Sequence, residues 1–247
     1  MSPAAAGGEP LRFRGGPLRV AALVPGRGAL GGAAGVRLTR SGARQGAAAG
    51  TPLEVEPVVI PLQDQIQLRF PRATPPGTYQ GVLTLDGAER QITAEVEPQV
   101  YLQGTPRRLE LSGQPRGHVA VELQLMNGGN VAVEVPPEHT VELFDESAVE
   151  GAFCRAAGAE LRPGERRIDR FADALAELCG GPVRVAADAG KGAVQPGETR
   201  TLRLSLAIPE RLKPGHTYSG SWELHNLHCP IRITVTGGAS AGKGGAT

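Results

Sequence analysis

Apolar and polar residues alternate at period two through most of this chain, the signature of strands with one buried and one wet face. Val36-Arg37-Leu38-Thr39-Arg40, Leu53-Glu54-Val55-Glu56 and Gln65 to Phe70 alternate in this way, and Leu11 to Val24 reads as an opening strand. Val58 to Leu62 is a short apolar run broken by Pro57 and Pro61. His118 to Met126 sets Val119, Val121, Leu123 and Leu125 on one face and Glu122 and Gln124 on the other. Val131, Val133 and Val135 continue the alternation as far as Pro136-Pro137, and Thr140 to Phe144 and Thr199 to Ile208 add further strands. Turn chemistry separates these runs: Asp86-Gly87 predicts a tight hairpin, and Asn127-Gly128-Gly129-Asn130 tolerates left-handed backbone. Pro25 to Gly35 reads as a turn region and Gly42 to Gly50 as a flexible loop.

One stretch occurs twice. Pro76-Gly77-Thr78-Tyr79-Gln80-Gly81 returns as Pro214-Gly215-His216-Thr217-Tyr218-Ser219-Gly220, with one residue added. Each copy follows an alternating run that ends in Pro (Phe70-Pro71; Ile208-Pro209), and each leads into a strand, a turn and a second strand. A match in order and spacing predicts a duplicated structural unit. Gly77, Gly81, Gly215 and Gly220 belong to this turn chemistry. Tyr79 and Tyr218 share a position from which the ring is buried and the hydroxyl bonds nearby backbone.

The segment from Glu146 to Gly192 has no counterpart in the first copy. Within it Ile168, Phe171, Leu175 and Leu178 fall on one helical face, so a helix is predicted over Arg166 to Cys179, stopped by Gly180-Gly181. That face covers its own sandwich or a partner. Short strands, frequent turns and little helix indicate β-sandwiches. The predicted division is a loose terminus (1–10), a first sandwich (11–98), a linker (99–107), a second sandwich (108–236) carrying the 146–192 insertion, and a tail (237–247).

Met126-Asn127-Gly128-Gly129-Asn130-Val131, then Gln195-Pro196-Gly197-Glu198-Thr199, then Pro-Gly-x-Thr-Tyr-x-Gly resemble bacterial immunoglobulin-like domains found in tandem in cell-envelope proteins. The resemblance covers Arg108 to Gly237 apart from the insertion, and part of Leu53 to Val96. It implies an all-β chain of two tandem immunoglobulin-like β-sandwiches, the second with a helical insertion. It also implies a module used for spacing, assembly or adhesion. Two such domains are similar in architecture to periplasmic pilus chaperones as well.

Bulk composition narrows the function further. With 26 basic and 25 acidic side chains the net charge is +1, so no strong field points to nucleic acid. No apolar run is long enough for a membrane span. Met1 to Gly16 lacks the apolar core of a secretory signal, which predicts a cytoplasmic protein as written, or an envelope or secreted one if the start is displaced. Aromatics are scarce at 4%, so the cores are built of Val, Leu, Ile and Ala. Three cysteines are too few for a disulfide framework; Cys154 and Cys179 either bridge in an oxidising compartment or remain thiols.

Candidate chemistry is sparse. His225-Asn226-Leu227-His228-Cys229, with His216, holds ligand types suited to zinc or copper. Neighbours 228 and 229 point to opposite faces of an extended strand, however, and the segment also reads as a plain hairpin loop. Gly237 to Gly244 nearly spells a phosphate-binding loop but has Gly where Ser or Thr is needed, and it sits in the tail. The basic Arg166-Arg167-Ile168-Asp169-Arg170 stretch is balanced by Asp169, Asp173 and Glu177 along the helix. No nucleophile elbow, metalloprotease motif or paired carboxylates stand out, so no catalytic residue and no cofactor is assigned. The expectation is a non-enzymatic structural or protein-interaction module whose partner is another protein. The alternatives are a chaperone-like assembly protein with an open edge strand and a zinc- or copper-binding sandwich.

Overall fold

A computed structural model describes residues 10–23, 36–41, 53–60, 65–85, 87–162 and 164–237. The predicted regions 25–35 and 42–50, Asp86 of the hairpin turn, and the tail from 238 lie outside the described residues. The chain divides into two compact units. The first is 1–101 with 127–132 and 195–197, and the second is 102–126, 133–194 and 198–247.

Among the described residues unit 1 holds seven strands: β1 (Leu11–Gly16), β2 (Arg19–Leu23), β3 (Val36–Arg40), β4 (Leu53–Ile60), β5 (Gln65–Arg69), β6 (Gly77–Leu85) and β7 (Ala88–Val96). They close on themselves in the order β1-β2-β5-β4-β3-β6-β7, β7 lying parallel to β1. The expected two-layer sandwich is here a single closed barrel. The cause is double pairing: β1 bonds both β2 and β7, and β3 bonds both β4 and β6, so hydrogen bonds run on across both would-be edges. Phe13, Val20, Leu38, Ile66, Leu68 and Leu83 fill the interior.

Two local expectations change in this unit. The single opening strand is a hairpin, β1 and β2, turning at Pro17-Leu18. The runs on either side of Pro57 are one strand, β4. Pro57 is tolerated because β4 changes partners there: Leu53 to Val55 bond β3, and Glu56 to Ile60 bond β5. The missing N–H falls where β3 no longer runs alongside.

Unit 2 is built on an eight-stranded sheet. Its members are β8 (Leu102–Thr105), β9 (Leu109–Gly113), β10 (His118–Asn127), β12 (Glu138–Asp145), β13 (Cys179–Ala189), β15 (Thr199–Ala207), β16 (Thr217–Leu224) and β17 (Leu227–Val235). β11 (Val133–Val135) and β14 (Gly192–Val194) form a small second sheet. The large sheet runs β8-β10-β15-β13-β12-β16-β17-β9. Part of the predicted linker is therefore strand: Leu102–Thr105 pairs beside β10.

Helices α1 (Ala148–Gly158) and α2 (Arg167–Glu177) lie between β12 and β13. The predicted helix corresponds to α2, and α1 is an additional one. The helix ends at Glu177, ahead of the predicted stop at Gly180-Gly181. The chain passes straight into β13, and the register against β12 slips there, with Leu143 opposite Gly181 and Phe144 opposite Cys179. Residues 179–189 are thus sheet, and the helical part of the 146–192 segment is confined to 148–177.

Candidate interaction surface

The two helices make an antiparallel hairpin held by small residues. Ala148, Ala152 and Ala156 of α1 recur every fourth position and are buried; Ala148 and Ala152 pack with Ala174 and Leu178, with Phe171 and Leu175 at the margin. The predicted apolar face is therefore split in its fate. Leu178 is buried, Phe171 and Leu175 are half-buried, and Ile168 is 60% exposed. Ile168 sits in the first turn of α2, beside Ala156 and Ala157 of α1.

Polar contacts join the two helices and cap the start of α2. Arg167 Nη1 donates to the carbonyls of Ala156 (3.1 Å) and Ala157 (2.7 Å), two of the otherwise unsatisfied acceptors at the end of α1. Asp169, in the first turn of α2, accepts from Arg166 Nε (3.0 Å) and Nη2 (2.8 Å). Arg155 bridges from α1 to Glu177 of α2 at 3.3 Å. On this fixed frame Val149 and Phe153, one helical turn apart on α1, stand 64% and 67% exposed. Phe153 and Ile168 flank an open groove of about 510 Å³ between the helices.

The root of the hairpin is a buried carboxylate. Asp145 ends β12 and is only 5% exposed. Its Oδ1 accepts from the Ser147 backbone N–H (2.9 Å) and hydroxyl (2.7 Å), and its Oδ2 accepts from His216 Nδ1 at 2.6 Å. Burial pushes the Asp145 pKa up, but the hydrogen bonds from Ser147 and His216 outweigh it and hold it below the ordinary value. Next to it Glu146 accepts two bonds from Arg232, at 2.9 and 2.8 Å. Sequence reasoning singled out His216 but had no signal for Asp145, whose partner is 71 residues away.

The metal candidates do not converge. His216 is engaged by Asp145. His225 sits with Asn226 in the two-residue turn between β16 and β17, at φ +51°. His228 lies on the outer face of β17 and Cys229 is buried behind it, where burial pushes its thiol pKa up. Among the described residues no group of three His, Cys, Asp or Glu side chains is arranged to hold a metal. Cys154 and Cys179 are free and exposed.

His228 does meet Ser221 and Glu223, a combination that invites comparison with a hydrolytic triad. Ser221 Oγ stands 3.1 Å from Nδ1 and 3.2 Å from Nε2, and Glu223 is 3.0 Å from the same Nδ1. A hydroxyl equidistant from both ring nitrogens lies on the line of neither lone pair, so this arrangement does not activate the serine.

Tyr79 and Tyr218 occupy matching places in the two units. The Tyr79 hydroxyl donates to the Pro75 carbonyl at 2.7 Å, and the Tyr218 hydroxyl accepts from the Lys213 N–H at 3.0 Å. Two residues on, Gly81 and Gly220 lie against the Arg37 and Glu142 carbonyls, which a Cβ at either position would strike. Gly77 and Gly215 precede them with positive φ (+147° and +82°).

No protein-family model and no curated protein sequence matches this chain. Solved structures similar to it include a three-domain immunoglobulin fragment of titin, at 11% identity and TM-score 0.33 over 93% of this chain. The chain spans 63% of that fragment's length. A protein of unknown function from Porphyromonas gingivalis W83 is matched at 8% identity and TM-score 0.29, over 92% of this chain and 96% of that one. Domains 4 and 5 of the S-layer protein SbsC are matched at 9% identity and TM-score 0.29, over 85% of this chain and all of theirs.

Proposed function

We propose that this chain is a non-enzymatic protein-interaction module of two tandem immunoglobulin-like β-domains, and that the α1–α2 hairpin of the second domain is its contact element. The observation that carries this reading is the exposure of Val149, Phe153 and Ile168 around an apolar groove, on a hairpin whose helices are joined by ionic and carbonyl contacts. Large apolar side chains held in water on a rigid support are costly unless something covers them in use. The shared Tyr-x-Gly unit, with its hydroxyl-to-backbone bond and its close glycine contact in both halves, supports a duplicated domain of immunoglobulin-like type.

The experiment is a quantitative affinity purification with three baits. These are the parent chain, a chain with 148–177 replaced by a short Gly/Ser loop, and the Phe153→Asp, Ile168→Asp variant, each checked for retained β-structure by circular dichroism. A specific partner is expected to be lost from both altered baits. Equal recovery on all three removes the hairpin as the contact element.

A further inference from the structure

The groove between α1 and α2 has apolar walls and one cation. Phe153, Ala156 and Ala157 line it from α1, and Ile168, Phe171 and Arg167 from α2. It is open along one side and has a volume of about 510 Å³. The other arginines of α1 and α2 are matched: Arg155 by Glu177, and Arg170 by Glu165, while Arg166 before α2 is matched by Asp169. Arg167 differs. Its Nη1 serves the Ala156 and Ala157 carbonyls, and it has no carboxylate partner among the described residues. A guanidinium carries five N–H donors, so Nε and Nη2 remain to be used.

We infer that this groove takes a segment of a partner protein in which a large apolar side chain is followed, within about one helical turn, by a carboxylate. The apolar side chain seats between Phe153 and Ile168, and the carboxylate meets Arg167. The walls call for an apolar occupant, because covering them removes apolar surface from water. The unmatched guanidinium selects an anion over a neutral or cationic group. Ala156 and Ala157 present no bulk, so a main chain can approach the floor closely. This rests on the reading of the hairpin as the contact element and names what it contacts.

The test uses random dodecapeptides displayed on phage and panned against the intact chain. Labelled synthetic copies of enriched peptides are then titrated by fluorescence polarisation. Enriched peptides are expected to share an aromatic residue or Leu near an Asp or Glu. Changing that acid to its amide is expected to weaken binding about fivefold to the parent and to Arg167→Lys, and not at all to Arg167→Gln. The acid-to-amide ratio does not depend on the fraction of folded protein, so a variant with a frayed α1 still reports on the carboxylate contact. No acidic preference, or an unchanged ratio in Arg167→Gln, overturns the role of Arg167 and leaves the hairpin reading standing. Parent-like binding by Phe153→Ala and Ile168→Ala, or no enrichment at all, overturns both.

Discussion

Asp145 ties the end of β12 to the start of α1 and, through His216, to the turn that leads into β16. Its carboxylate meets three donors and is itself almost free of solvent, so in Asp145→Asn a donating NH2 takes the place of one of its two accepting oxygens. Asp145→Asn is expected to cost unit 2 about 2 kcal/mol in urea unfolding. The pH dependence has a definite sign. A carboxylate whose folded pKa lies below its unfolded one contributes fully above about pH 4, and that contribution drains away as pH falls through the folded pKa. The parent's acid limb is therefore expected to be steeper than that of Asp145→Asn below about pH 4. Superimposable limbs would show that this pair carries no linkage. A smaller effect belongs to the tyrosines. Tyr218→Phe leaves the Lys213 N–H without its acceptor and Tyr79→Phe leaves the Pro75 carbonyl without its donor, each costing about 1 kcal/mol by the same measurement.

At the scale of the element, the helical hairpin depends on how closely two backbones approach over alanine. Ala152 is fully buried between the helices, so Ala152→Leu is expected to force them apart, costing about 1–3 kcal/mol and lowering the helical signal while the sheet remains. A cooperative loss of β-structure in that variant would contradict the separation of hairpin from sheet. The same alanines explain what was legible here. α2 announced itself because Ile168, Phe171, Leu175 and Leu178 are unambiguously apolar at helical spacing. α1 did not, since its buried stripe is Ala148, Ala152 and Ala156, and alanine is as much at home on a surface as in a core. Ser147-Ala148-Val149-Glu150 has the spacing of a helix start, but Ser147 spends its hydroxyl on Asp145 and makes no side-chain cap. β13 hid for a related reason. Gly180, Gly181, Ala186 and Ala187 dilute its alternation, and its place in the sheet comes from partners on both sides, β12 and β15.

For the whole molecule, the duplicated turn was readable from order and spacing alone, while the closure of unit 1 was not. Closure depends on which strand edges find each other, and the parallel pairing of β1 with β7 joins residues about eighty positions apart without any local signature. The candidate surface was half readable for the same reason: Ile168 is in the pattern, but the groove exists only once α1 lies beside it. The duplication makes a test of its own. Gly81 faces the Arg37 carbonyl and Gly220 the Glu142 carbonyl, so a methyl group at either site must push two strands apart. Because each unit has its own buried core, the damage is expected to stay local. By hydrogen exchange with mass spectrometry, Gly220→Ala should deprotect β12, β16 and β17 and leave β3, β6 and β7 at parental rates. Gly81→Ala should do the reverse. Matching deprotection of both sets by either substitution would mean that the two halves unfold as one, and the duplication would then describe ancestry of sequence rather than independent structural units.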